Sequence, residues 1–447
     1  MCDSERKLAE WIAEQTYLDL PENVRNRATL TIADSVGVII GGITTDNVSD
    51  LVSRDARDDC VDVPLLGTEQ RTSAQKAAMI YGTAGTALEL DEGHKYAAGH
   101  PAMHVLPALL CEAVNNPSSQ EAFLTAFVTA YEAVTRVARA CTPIRSQYHM
   151  HGLWGTVGAA AGVAKYRGCD SDQILTAMQM AANHAQHTRF EAAVEGATVR
   201  NTYTGMSNLD GLNVVNQAQA GFTSLECGIE RHLEGVAEDR FRPTILTEEL
   251  GTTWEIMRGY FKIHAACRYT HPVLDSLDEI LGSVEIDPDE ITAVVVETYE
   301  NASRLSDTRP MNSLQAKFSI PFAVATRIHN DCSDKSAFEP EAIEEHTLRL
   351  AGNVSVRSSD EFESRTPEAR GARVIIHVGN NEKFVGTVSR PRGDPQRPFS
   401  EEELRQKFQS LVSPVLGPGS VDKLWTGIRE GKLSPEKIHS LGIKRQT

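Results

Sequence analysis

The sequence predicts a mainly α fold: a large all-helical domain over residues 1–265, rejoined by residues 398–447, and a smaller α+β domain over residues 266–397. Three observations predict it. Apolar residues recur at helical spacing through the first two-thirds of the chain. After about residue 265, β-branched runs appear. A Pro/Arg/Gly-rich stretch over residues 391–398 then reads as a linker, and helical spacing resumes over residues 401–412.

Taken in order, residues 8–14 are amphipathic. Pro21 suits the first turn of a long helix through Ala28, Ile32, Val36 and Ile40, which stops at Gly41-Gly42. Residues 73–88 are Ala-rich with small residues at helical spacing. Residues 121–139 carry Phe123, Ala126, Phe127, Ala130, Val134 and Val137 on one face. Gly, Ala and Thr over residues 155–162 leave another helix face almost without side chains. Each mid-helix glycine costs ~1 kcal/mol of propensity, which close helix approach recovers by dispersion contacts. The expectation is a buried central helix. Asp170 to Gln173 form a capping box before a helix over residues 174–185, and residues 211–221 continue the pattern. In the second unit, residues 291–299 read as a strand. Residues 372–378 and 383–389 read as a hairpin, with helices over 272–281, 315–329 and 339–350.

The 447 residues carry 44 Lys+Arg against 61 Asp+Glu, a formal net charge of −17. That balance argues against nucleic-acid binding, which needs a basic face. A local cluster of cations can still oppose the global sign and bind a small anion. The best apolar run, near residues 35–40, falls far short of the ~20 residues that span a bilayer. The N-terminal residues are charged and lack a signal-type apolar stretch, and Lys444 to Thr447 is not a peroxisomal address. A cytoplasmic protein is expected, with no membrane partner. The eight cysteines are scattered, with no C-x-x-C, which argues against a zinc ribbon. Reduced and mostly buried thiols are expected.

Five polar patches stand out. Glu89, Asp91, Glu92, His94 and Lys95, followed by His100-Pro101, form the densest; between two apolar helices they supply acid/base side chains, or else a self-paired solvated loop. His149 and His151 stand at the entrance to the Gly/Ala helix, where an anion is favoured, although a capping or core histidine reads equally. Arg200 to Gly205 forms the third patch. Lys262 to Pro272 puts His264, Cys267 and Arg268 at the domain junction, a setting suited to carboxylate recognition or to plain surface charge. Gln315 to Phe322 is the fifth. His100 and His104 are four apart, but Pro-Ala-Met lies between them, with no glutamate to act as a metalloprotease base. No phosphate-binding glycine loop and no G-x-S-x-G is found. No metal is expected.

Together these patches resemble the MmgE/PrpD family, which includes 2-methylcitrate dehydratase, cis-aconitate decarboxylase and iminodisuccinate epimerase. The resemblance spans nearly the whole chain. It rests on Leu90-Asp91-Glu92-Gly93-His94-Lys95 with Gly99-His100-Pro101, on His151-Gly152, on Lys262 to Pro272 and on Ala316-Lys317-Phe318-Ser319, in that order. It implies a helical domain closed by a smaller α+β lid, usually in a homodimer. It also implies an active site between the domains, no metal, no organic cofactor, and small di- or tricarboxylate substrates.

Under this resemblance Asp91, His100, His151 and Lys262 fall on site-lining positions. Arg200 stands where the decarboxylase and dehydratase types usually carry Lys, and Tyr203 where they carry His. Cys267 replaces a His of the decarboxylase type and Phe322 a Tyr. The expected catalytic set is therefore Asp91, His100, His151, Lys262 and Tyr203. His94, Lys95, Arg200, Cys267 and Arg268 are expected to contact substrate. His100 is the expected base, oriented by Asp91. Lys262 and Arg200 are the expected carboxylate clamp, and His151 or Tyr203 the proton donor. A 2-methylcitrate dehydratase-like hydro-lyase is the first expectation. An iminodisuccinate epimerase-like isomerase, a cis-aconitate-type decarboxylase and a non-catalytic family member are the alternatives.

Overall fold

The computed structural model describes residues 3–56, 63–379 and 382–443. Cys2, Cys60, Asn380, Asn381 and the last four residues, on which some expectations fall, lie outside the described residues. The expected helices are present, several of them longer. Glu22–Gly42 starts directly after Pro21 and is buried along most of its length. Ala74–Ala87, Gln120–Cys141 and Gly155–Tyr166 follow. Asp170 closes its capping box with Gln173 at the start of Ser171–Asn183. The third polar patch forms the first turns of Val199–Gln219, a helix that begins twelve residues earlier than its apolar spacing suggested. Three helices, Glu401–Leu416, Pro418–Arg429 and Pro435–Gly442, are the last elements among the described residues.

The central helices cross at glycines. A Cβ on Gly205 would lie 2.3 Å from the Met79 carbonyl oxygen, and one on Gly82 would lie 2.8 Å from Gly205 Cα. A Cβ on Gly211 would lie 2.2 Å from that of Ala159, and one on Gly158 would lie 2.7 Å from Val134. The backbones of Ala74–Ala87, Gly155–Tyr166 and Val199–Gln219 therefore touch almost directly. This holds the first turn of Val199–Gln219, and with it Arg200, rigidly against the end of Ala74–Ala87.

The second unit is a four-stranded sheet in the order Val354–Ser358, Ile291–Thr298, Ala372–Val378, Glu382–Val388. The first pair is parallel and the other two are antiparallel. Ala372, Val374, Ile376 and Val378 alternate inward, as expected for a sheet with one face covered. The strand Val354–Ser358 was not expected: it is short, and only Val354 is buried. The helix expected over residues 315–329 breaks at Phe318-Ser319 into Ser313–Lys317 and Ile320–Asn330, where the Ser319 side chain caps the second piece. The 339–350 pattern becomes a short 3₁₀ turn and the helix Glu345–Gly352.

One apolar core runs from Leu8 to Phe261 and takes in Phe399 to Ile438. A second lies against the sheet, between Ala193 and Val378. A smaller third joins Val38, Leu88, Leu90, Ala265, Phe322 and Leu411 at the seam. The stretch expected as a linker packs into this seam. Phe261 N donates to Gly393 O at 3.2 Å, and Asp394 is buried in an ion pair with Arg268 at 2.6 Å.

Cys111, Cys141, Cys169 and Cys267 are buried free thiols, and Cys332 is a half-buried one. Cys227 is disulfide-bonded, which corrects the expectation of reduced thiols throughout. Among the described residues no single helix is long and apolar enough to cross a membrane. One pair, Glu22–Gly42 with Asp46–Asp55, would pass by composition but bends by 85°.

Alanine is the better helix former by ~1 kcal/mol, yet Gly205→Ala is expected to destabilise the protein by ~1–3 kcal/mol through overpacking. Urea unfolding checks this, and an unchanged or raised midpoint would remove the close-approach argument.

Candidate active site

The site is assembled from three separated stretches of chain. After Ala74–Ala87 the chain turns through Glu89, whose φ of 55° is uncommon for a residue with a side chain. Two cations anchor it there. Arg200, on the first turn of Val199–Gln219, pairs with one carboxylate oxygen, and Lys262 Nζ lies 3.5 Å from the other. Lys262 Nζ is also 3.1 Å from Asp91 Oδ1. His100 Nδ1 is 2.9 Å from Asp91 Oδ2 and 2.7 Å from the carbonyl oxygen of Glu92. With two oxygen acceptors around it, Nδ1 carries the proton in the neutral ring, and Nε2 is left as the basic nitrogen. From the far side, Lys407 Nζ donates to Leu90 O at 2.7 Å and pairs with Asp34 at 2.6 Å. Glu401–Leu416 thereby braces the loop one residue before Asp91.

Burial pulls the Asp91 pKa upward, but the charges of His100 and Lys262 outweigh it and hold the group far below the usual carboxylate range. The neighbouring histidines behave differently. Burial, with Arg200 nearby, holds His149 and His151 well below an ordinary imidazole. Burial brings His104 down to about 4. His151 meets His100 edge-on with ring centroids 4.8 Å apart. These three rings are neutral at pH 7.

A cavity of about 710 Å³ opens over this floor. Glu89, His100, His151, Arg200 and Cys267 line it, as do Lys95, Arg268 and Arg370. Lys95, His100, His151, Arg200, Cys267 and Arg268 thus come together, as expected from the sequence. Asp91 and Lys262 are fully buried and act on the cavity through His100 and Glu89. One expected substrate contact, His94, and one expected catalytic residue, Tyr203, lie elsewhere. His94 turns away, with Nε2 3.2 Å from Glu255, because Glu255 is buried among Arg139 and Arg258 and draws the ring toward it. Tyr203 sits outside the cavity wall, its hydroxyl 3.5 Å from the carbonyl of Arg189. Phe322 packs near Phe338 in the seam core, with ring centroids 6.2 Å apart, and does not line the cavity. Burial pushes the Cys267 thiol up to about 12, so it meets a ligand as a neutral group.

Sequence reasoning missed Glu89, although it stands in the acidic patch two residues before Asp91. Nothing in the pattern marked it as the partner of both cations. The same pairing alters the expected clamp, because Arg200 and Lys262 already face two carboxylates.

The MmgE/PrpD N-terminal domain model matches residues 6–238, and the MmgE/PrpD C-terminal domain model matches residues 264–426. The chain belongs to the MmgE/PrpD family. Over 98% of its length it is 22% identical to a cis-aconitate decarboxylase-like protein, oryM, of Aspergillus oryzae, covering 96% of that protein. Over 91% of its length it is 20% identical to human cis-aconitate decarboxylase, covering 87% of it. The junction between the two family domains, residues 239–263, contains Lys262 together with the cavity-lining Arg242, Ile245 and Tyr260.

In this MmgE/PrpD site Glu89, Asp91 and His100 offer ligand atoms within 4.8 Å of one another. The donor set suits a hard cation poorly. Lys262 and Arg200 already neutralise both carboxylates, and a metal would have to displace two fixed positive charges.

Beneath His100, burial raises Glu92 to about 7, against the hydrogen bonds it accepts from the Tyr131 hydroxyl at 2.5 Å and the Ala102 amide at 3.1 Å. Between pH 4.5, the ordinary value, and about 7, the folded state keeps a proton that the unfolded chain has lost. The stability contributed by this group is therefore present at low pH and lost as pH rises through about 7. Glu92→Gln should flatten the fall in unfolding free energy between pH 5 and 7 by up to ~1 kcal/mol per pH unit. Parallel wild-type and variant profiles in urea unfolding would show that Glu92 does not titrate in this window.

Proposed function

We propose that this protein is a lyase acting on the carbon next to a carboxylate of a small di- or tricarboxylate. The first reading is a hydro-lyase on a 2-methylcitrate-like hydroxy acid. The observation that carries it is His100, with its Nδ1–H fixed by Asp91 and the Glu92 carbonyl and its ring facing a cation-rich cavity. In this reading Nε2 removes the proton from the C–H beside the carboxylate, and Asp91 stabilises the imidazolium that results. Charge building on that carboxylate is polarised by Arg200 and Lys262, which stay paired with Glu89 and Asp91. The imidazolium then returns its proton to the departing hydroxyl, which leaves as water while the C–H electron pair becomes the new double bond. One group serves as base and acid. This suits a site whose other expected donors are poorly placed to give a proton, since His151 is neutral and Tyr203 points to a backbone carbonyl.

Decarboxylation is the second reading. The names of both relatives favour it, and Phe322, a departure from the decarboxylase pattern, lies outside the cavity. There, protonated His100 would deliver its proton to carbon as carbon dioxide leaves.

Proton NMR in D2O with 2-methylcitrate, citrate, cis-aconitate and iminodisuccinate separates the readings. The expected outcome is an alkene formed from a hydroxy acid, seen as a vinyl proton from citrate or as an allylic methyl singlet replacing the methyl doublet of 2-methylcitrate. A vinyl product formed from cis-aconitate with loss of a carboxylate would replace it with decarboxylation. Deuterium entering without net change would mark an isomerase. His100→Gln should lower kcat by ~10²–10⁴-fold with little change in Tm, and near-wild-type turnover would remove His100 from the mechanism.

A further inference from the structure

The floor of the cavity has no positive charge to spare. Glu89 and Asp91 take up Arg200 and Lys262. Along the wall, Lys95 and Arg268 share Asp394, at 3.6 and 2.6 Å. Arg304 pairs with Glu300 in solvent, and Arg139 pairs with Glu248 and Glu255. Among the described residues, only two cavity cations have no carboxylate within ion-pair distance. One is Arg242, exposed at the rim and bonded to the carbonyls of Arg139 and Thr142. The other is Arg370. Its guanidinium lies 5.6 Å from the centroid of the Tyr269 ring and donates one hydrogen bond, to the Lys95 carbonyl at 2.8 Å.

Sheet register gives Arg370 a companion. Thr298 pairs with Ala372, so the residues just beyond Thr298 and just before Ala372 emerge at the same end of neighbouring strands. Tyr299 is one of them. It lines the cavity, is 3% exposed, and its hydroxyl has no hydrogen-bond partner. A buried hydroxyl left unpaired is costly, and a cavity ligand can satisfy it. The Tyr269 ring meets Tyr299 edge-on at 5.6 Å and closes the third side.

We propose that Arg370 and Tyr299 form a second carboxylate-binding subsite, on the sheet side of the cavity, that holds the substrate carboxylate farthest from His100. This rests on the carboxylate-substrate reading and sharpens it. The ligand must be a polycarboxylate, with one acid group near the His100 floor and another between Arg370 and Tyr299. A monocarboxylate would leave the subsite empty.

The test is calorimetric titration with tricarballylate, an unreactive tricarboxylate, on the wild-type chain and on Arg370→Gln, Arg370→Lys and Tyr299→Phe, with Tm measured for each. The expected result is a Kd raised ~10–100-fold in Arg370→Gln, as for loss of a charged hydrogen bond. Partial recovery in Arg370→Lys and a rise of ~3–10-fold in Tyr299→Phe should accompany it, with Tm within a few degrees of wild type. Binding by Arg370→Gln within twofold of wild type overturns the subsite and leaves the lyase reading standing. If Arg370→Gln does not fold, Tyr299→Phe decides, and unchanged binding there overturns the proposal. If the wild-type chain does not bind tricarballylate, the subsite and the carboxylate reading fall together.

Discussion

The structure is organised around a set of charges removed from water. Asp91, Glu89, Arg200 and Lys262 have side chains at most 2% exposed, and His100 is 10% exposed. Burying one ion alone costs several kcal/mol, and removing one partner of a buried pair costs ~3–5 kcal/mol. The arrangement is tolerable only if every member is held in place at once. The members come from residues 89–100, from residue 200 and from residue 262, so no local segment can do this. The glycine crossings meet the requirement for Arg200. Gly82 and Gly205 bring its helix against the one that delivers Glu89. Lys407 meets it for Asp91, reaching from a helix more than three hundred residues later in the chain to the Leu90 carbonyl. The return of the C-terminal helices to the first core is thus part of the site's construction.

A balanced floor also constrains how the cavity can work. A ligand carrying two or three carboxylates adds negative charge to a region of low dielectric. Cations already paired with Glu89 and Asp91 can polarise it but cannot neutralise it without releasing their own partners. Apart from Arg242 at the exposed rim, the remaining positive charge lies toward the sheet, in the unit that meets the helical core at the seam around Ala265, Phe322 and Leu411. On the proposed reading, substrate recognition is therefore divided between the two units, with proton transfer in the helical one.

Much of the fold could be read in the sequence because its signals are local. The Asp170 capping box, Pro21, the Gly/Ala helix and the β-branched run over residues 291–298 each specify their own element. The misses have non-local causes. Arg200 to Gly205 stood out only as a polar patch, because buried polar side chains such as Arg200 and Thr204 break the apolar spacing of their helix. Val354–Ser358 owes its strand character to pairing with Ile291–Thr298. The site shows the same division. The acidic loop and its histidines form a local pattern, whereas Arg370 and Tyr299 meet only through the register of strands more than seventy residues apart. His94 belonged to the right motif but answers to Glu255, which the motif does not contain.

Four histidines crowd the floor, yet only one has surroundings that suit the proposed base. His104, His149 and His151 have no carboxylate within ion-pair distance among the described residues; each lies in low dielectric near Arg200, and each is held neutral. A neutral imidazole can offer a hydrogen bond, but it has no proton to give at ordinary acidity. Charging a second ring beside His100 would place like charges within about 5 Å, a repulsion that is strong in such a medium. Only His100 has an ionised carboxylate on its Nδ1 side to stabilise the imidazolium. In the proposed mechanism the proton taken from the ligand is therefore carried on His100. It leaves either by return to the bound ligand or through the open side of the cavity. A single carrier among the four histidines favours reactions in which one group takes a proton and gives it back, and it disfavours those that need two rings charged at the same time.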